Sequence, residues 1–247
     1  MSGHSKWSTI KHKKGAADAK RGRLFTKLVR EIIVSAREGG GDIDSNPRLR
    51  SAIKTAQGAN MPSANVERAI KRGTGEIEGI KYEEYTYEGY GPGGVAVLVD
   101  VMTDNRNRTV SEVRHVFSKY DGNMAESGAV AWNFDQKGLL LVSVGDLDED
   151  EFMMTALDAG AEDVIHEEDF FHVYTSSSDL HTVARALDSF EVEKAELTRV
   201  PKNSVKADEV AGKLFRLLEK LEDLDDVQKV YANFEVSDEV MERLAAD

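Results

Sequence analysis

Cysteine is absent from all 247 residues. That excludes a disulfide framework, a thiolate metal site and a cysteine nucleophile, and it fits a reducing compartment. No apolar run approaches the roughly 20 residues of a membrane span. The N-terminal cations are not followed by the apolar segment of a secretory signal. The same stretch is basic and acid-poor, as transit peptides are, but it leads without a spacer into a well-patterned helix. A mature N-terminus and a cytoplasmic protein are therefore expected. No serine, histidine and acid stand out as a triad, so an enzyme is not expected. What remains is a chain of 40% apolar residues, long enough for one large domain or two to three small ones.

Charge is unevenly distributed. Residues 1–72 carry a formal +10 and the remainder −23, for a net −13. A protein that merely coated nucleic acid would not carry so acidic a body. Contact with a polyanion is expected through one end only. Lys6, Lys11, Lys13, Lys14, Lys20, Arg21 and Arg23 precede the first apolar run, with only Asp18 to offset them. Such density attracts a polyanion and releases its counterions on binding. Leu24, Phe25, Leu28, Val29, Ile32, Ile33 and Ala36 then recur with helical spacing. Arg23, Lys27, Arg30 and Arg37 fall on the opposite side of that helix, where they are expected to face solvent. Trp7, among these cations, suits either stacking on a base or ribose or stapling the arm to the helices. The candidate nucleic-acid-binding residues are thus Lys6, Trp7, Lys11, Lys13, Lys14, Lys20, Arg21, Arg23, Lys27 and Arg30.

Punctuation divides the rest. Gly39-Gly40-Gly41 stops the first helix, Asn46-Pro47 starts a second, and Pro62-Ser63 starts a third. These make a basic helical domain over 1–76. Period-two alternation from Tyr82 to Glu88 and the apolar run Val95–Val101 read as strands joined by Gly91-Pro92-Gly93-Gly94. A helix carrying Val110, Val113, Val116 and Phe117 follows, and Ala129–Phe134 reads as a further strand. From Gly138 to Val200 the order is β-α-β-β-α-β, the ferredoxin-like pattern. A final helix (Val210–Leu221) and strand (Val227–Val236) have no sheet of their own. The expected fold is α+β: an N-terminal three-helix domain followed by two α/β-sandwich domains, the third (ferredoxin-like) inserted in the second. The corresponding ranges are 77–135 plus 203–247 for the second domain and 136–202 for the inserted one.

Other candidate chemistry is weaker. Gly91–Gly94 lacks the lysine and spacing of a phosphate loop. Asp104, Asn105 and Asn107 lack the glutamate of a calcium loop and read as a turn with a helix cap. His166, Glu167, Glu168, Asp169 and His172 offer nitrogen and oxygen ligands, but the histidine spacing is not that of a zinc-protease helix. Phe170, His172 and Tyr174 share one strand face, as base-stacking sheets require. Their acidic setting favours core packing or a protein-facing surface. No metal, cofactor or small-molecule substrate is implied.

Several stretches together resemble the YebC family: Gly3-His4-Ser5-Lys6-Trp7, Ile10-Lys11-His12-Lys13-Lys14, Asp18-Ala19-Lys20-Arg21-Gly22 and Phe25-Thr26-Lys27 near the start, then Gly89–Gly94, Thr103–Thr109 and Phe134–Gly138. The similarity spans essentially the whole chain. It implies three domains, the third inserted in the second, and a cytoplasmic, non-enzymatic regulator of gene expression. Members are described as probable DNA-binding transcriptional regulators or as translation factors acting on the ribosome. The implied partner is accordingly DNA or ribosomal RNA, the latter with the ribosome itself.

Overall fold

The structure is a computed structural model that describes residues 17–167 and 169–246. It divides into two compact units, one from the chain up to Phe134 together with the chain from Pro201 onward, the other from Asp135–Val200.

The first unit opens with three helices, α1 (Ala17–Gly39), α2 (Pro47–Gly58) and α3 (Ser63–Gly73). Asn46 caps α2, accepting from the Leu49 N–H at 3.0 Å ahead of Pro47 in the first turn. Its amide nitrogen also donates to the carbonyls of Ser35 and Gly40, both at 2.8 Å, so the cap fixes where α2 leaves α1. Leu28, Ile32, Ile33 and Ala36 of α1 are buried against Leu49, Ile53, Val66 and Ala69. Gly73 permits the close approach of α3 to α1. A Cβ there would lie 2.5 Å from the Ile33 carbonyl oxygen and 2.7 Å from the Ala36 Cβ.

Strands β1 (Glu83–Tyr90) and β2 (Ala96–Thr103) pair antiparallel. The glycine-rich link between them turns through Gly93, at φ +74°. Helix α4 (Arg106–Lys119) and the short strand β3 (Asn123–Met124) follow.

The second unit contains β4 (Phe134–Ser143), α5 (Glu149–Asp158), β5 (Asp163–Glu167), β6 (Phe170–Ser176), α6 (Leu180–Ala186) and β7 (Val192–Pro201). Its strand order, β5-β6-β4-β7, is that of the ferredoxin-like fold. Leu140, Val142, Phe171 and Val173 face Phe152, Val183 and Leu187 of the helical side. Asp148 caps α5 through the Glu151 N–H at 2.9 Å, and the acids that follow it suit the positive end of the helix dipole.

The chain then returns to the first unit with β8 (Val205–Lys206), α7 (Ala211–Glu222), β9 (Val227–Ala232), β10 (Phe234–Glu235) and α8 (Asp238–Ala246). Strand β9 joins β2 in the sheet β3-β1-β2-β9, while β8 and β10 pair separately, in parallel. One face of the larger sheet is covered by α4 and α7, with Phe117, Leu214, Leu217 and Leu218 over Val97, Val99 and Val230. The fold is therefore α+β, with helices at the N-terminus and two antiparallel sheets after them.

One expectation needs correction. Ala129–Phe134 is not a strand. The segment makes a 3-10 turn over Ala131–Asn133, and β4 begins only at Phe134. The buried carboxylate of Glu88 takes the N–H groups of Gly128 (2.6 Å), Val130 (2.7 Å) and Ala131 (2.8 Å). These donors are satisfied by a side chain rather than a neighbouring strand. Helix α8 lies beyond the elements expected from the sequence. Its Met241 enters the core of the first unit.

Candidate nucleic-acid interface

Helix α1 has two faces, and neither is simply solvated. Its apolar stripe enters the helical core described above. Its cationic face meets the C-terminal end of α7 and the loop after it. Lys27 Nζ donates to the Glu222 carbonyl at 2.6 Å. That places a cation on the negative end of a helix, where carbonyls lack intrahelical partners. Arg23 lies 3.4 Å from the Asp223 carboxylate. Arg30 reaches furthest: it donates to the Asp225 carbonyl and, at 3.3 Å, to that of Met102, and pairs with the Asp226 carboxylate at 2.8 Å. Its guanidinium also lies 5.2 Å from the Tyr82 ring centroid, within cation–π range. Arg37 donates to the Tyr82 carbonyl. The expectation that this face looks into solvent is thus corrected. Its cations clasp the helices to the sheet that follows.

Asp226 is the centre of that clasp, and the Thr103–Thr109 segment is built around it. Thr109 Oγ1 donates to its carboxylate at 2.6 Å, Thr103 Oγ1 at 3.0 Å and Arg108 at 2.7 Å. Arg108 also binds Asp104, at 2.8 Å, and Asn105 caps α4 through the Arg108 N–H at 3.1 Å. The polar turn is therefore a cap and a carboxylate cradle, as its cap reading anticipated. Burial pushes the Asp226 pKa up. Hydrogen bonds from Thr109, Arg108 and Thr103, with the Arg30 charge, outweigh burial and hold it below the ordinary carboxylate range. A second clasp centres on Arg48, which binds Glu31 at 2.8 Å, Glu38 at 2.7 Å and Glu84 of β1 at 2.7 Å. Burial raises the Glu84 pKa, but the hydrogen bond from Arg48 leaves it lowered overall.

Of the ten candidate residues, Lys6, Trp7, Lys11, Lys13 and Lys14 lie outside the described residues. Lys20 and Arg21 fall in the first turns of α1, with Arg21 exposed. Arg23, Lys27 and Arg30 are the clasp residues just described. The secondary candidates are distributed elsewhere. Gly91–Gly94 is the β1–β2 turn, with Pro92 buried. Glu168 lies outside the described residues, and His166 Nδ1 sits 3.0 Å from Glu149. Among the described residues no group of three or more His, Cys, Asp or Glu is arranged to hold a metal ion. His172 is only 5% exposed, and burial lowers its pKa. That makes it a core side chain of the second unit rather than an open stacking platform.

Sequence reasoning missed one exposed aromatic. Trp132 is 65% exposed, and its indole N–H donates to the Ala129 carbonyl at 3.0 Å. It stands on the loop that Glu88 organises. The carboxylate and the loop are separated by some forty positions, which no local pattern bridges.

Comparison with known proteins places this architecture. A model of the TACO1/YebC N-terminal domain matches residues 5–76, and a model of the second and third TACO1/YebC domains matches residues 82–234. The chain belongs to the TACO1/YebC family. A probable transcriptional regulatory protein from Syntrophobacter fumaroxidans is 58% identical over 249 residues, covering 99% of this chain and 100% of the relative. One from Geobacter sulfurreducens is 58% identical over 247 residues with the same coverage. A crystal structure of a conserved hypothetical protein from Aquifex aeolicus superposes with a TM-score of 0.85 at 50% identity, covering 93% of this chain and 96% of the other. The TACO1/YebC relatives are named as regulators rather than enzymes. No helix among the described residues is long and apolar enough to cross a membrane. In TACO1/YebC terms, the Arg30–Asp226 and Arg48–Glu84 pairs each join a residue of the N-terminal match to one of the second.

Proposed function

We propose that this chain is a non-enzymatic, cytoplasmic regulator of gene expression that binds nucleic acid through its N-terminal end. The observation that carries the reading is the charge partition, +10 over residues 1–72 against −23 over the rest. Lys6, Trp7, Lys11, Lys13, Lys14, Lys20 and Arg21 make the contact in this reading. Arg23, Lys27 and Arg30 anchor helix α1 and add to the local field. The relatives' name, probable transcriptional regulatory protein, supports DNA as the target.

A second reading, a translation factor on ribosomal RNA, is favoured by a specific feature. The three N-terminal helices carry no cluster of arginine, asparagine and glutamine suited to base readout, and Gln57 is their only glutamine. A basic arm with one aromatic fits single-stranded or looped RNA better. Salt titration tests the shared claim. With about 6 phosphate contacts, the log–log slope of affinity against salt is about −5 on duplex DNA and about −4 on single strands. A slope near zero overturns ionic binding. Co-sedimentation with ribosomes that survives DNase selects the translational reading. Tight binding of particular duplexes over random DNA, without ribosome association, selects the transcriptional one.

A further inference from the structure

Helix α4 is a cationic segment within the acidic part of the chain. Arg106, Arg108, Arg114 and Lys119 stand against the single acid Glu112, a formal +3 where everything after residue 72 sums to −23. The helix divides cleanly. Thr109, Val113, Val116 and Phe117 are buried against the sheet. Arg106, itself exposed, stacks over the Tyr85 ring, 4.8 Å from its centroid. Asn107, Ser111, Arg114, His115, Ser118 and Lys119 are exposed.

A solvated helix face on an acidic protein ordinarily mixes signs at three- and four-residue spacing. This one does not. No acidic residue stands three or four positions from Arg114 or from Lys119 within the helix, and Glu112 lies one turn from Arg108 instead. Among the described residues none closes an ion pair with Arg114. Around Arg114 the face carries the short hydrogen-bonding side chains Asn107, Ser111 and Ser118, which let a backbone approach closely, while the exposed Glu112 flanks it. From Asn107 to Ser118 it runs about 17 Å at 1.5 Å per residue, the rise of about five base pairs. It is also tied to the basic helix: Arg108 at the start of α4 and Arg30 of α1 bind the same Asp226 carboxylate.

We propose that the outer face of α4, with Arg114 and Lys119 as its cations and Asn107, His115 and Ser118 as its donors, is a second surface for the phosphodiester backbone. It takes the strand that the N-terminal arm recruits, and in that respect it rests on the function proposed above.

The test uses the full chain and two fluorescent probes, a 30-base-pair DNA duplex and a 30-nucleotide single-stranded RNA, read by anisotropy across a salt series. The variant R114E/K119E is expected to weaken binding at least tenfold on the preferred probe. Its salt slope should be shallower by about 1.8 on the duplex or about 1.4 on the single strand, two phosphate contacts' worth. The equal charge change R185E/R243E, at exposed positions elsewhere, should leave the slope unchanged. A neutral variant, N107A/S118A, should lose a few-fold in affinity at constant slope, and it keeps the test valid should the charge variant fold poorly. Wild-type slope in R114E/K119E, or a loss matched by R185E/R243E, overturns the proposal. If binding persists in R114E/K119E yet vanishes when Lys11, Lys13, Lys14, Lys20 and Arg21 are reversed to glutamate, the α4 surface falls and the arm stands. If the wild-type chain binds neither probe, both fall.

Discussion

Two buried carboxylates in the first unit are satisfied in opposite ways. Asp226, 3% exposed, is held by side chains from three separate places: Thr103 at the end of β2, Arg108 and Thr109 of α4, and Arg30 of α1. Glu88, 5% exposed, is held by backbone N–H groups of one loop, those of Gly128, Val130 and Ala131. The first arrangement is long-range and ties the basic helices to the sheet. The second is local in space and only gives a loop its shape. Removing the first carboxylate strands cations, while removing the second strands peptide N–H groups, of which that of Val130 is buried.

The largest effect is therefore expected at Asp226. D226A leaves Arg30 and Arg108 without their shared counter-charge and should cost about 3–5 kcal/mol, read from urea midpoints. The sign of its pH dependence follows from a lowered folded pKa. The stabilisation is present above about pH 4, the unfolded aspartate value, and disappears as pH falls through the folded value. D226N should flatten the acid limb of the stability curve. A next, smaller effect is expected for E88A, about 2–3 kcal/mol, because the N–H of buried Val130 loses its charged acceptor while Gly128 is exposed and Ala131 partly so. Its signature is faster amide exchange at Gly128–Ala131 and altered Trp132 fluorescence, with the acid limb shaped by Asp226 intact. The smallest is R48A. Its three carboxylate partners are half exposed, and such pairs are worth about 1 kcal/mol or less. An E88A loss that exceeded that of D226A would reverse the comparison.

The same contrast explains what could be read in the chain beforehand. Local signals were legible. The stripe of Leu28, Ile32, Ile33 and Ala36, the Asn46-Pro47 start of α2, the Asn105 cap of α4 and the strand–helix order of the ferredoxin-like unit all follow from spacing and turn chemistry within a few residues. What failed depended on distant acceptors. Helical periodicity puts Lys27 and Arg30 opposite the apolar stripe. Only the fold reveals that carbonyls of Glu222 and Asp225, 195 positions away, lie there instead of solvent. Ala129–Phe134 has the composition of a strand, but its donors go to Glu88. The basic face of α4 is legible in the helix's own residues, four cations against Glu112, and is hidden by the −23 of the segment around it.

The division between cations that clasp and cations that contact is the central claim. It is tested most directly by reversing Lys11, Lys13, Lys14, Lys20 and Arg21 to glutamate and measuring nucleic-acid affinity and the urea midpoint of the same preparation. Binding should be lost and the midpoint unchanged. Unaltered binding would contradict it.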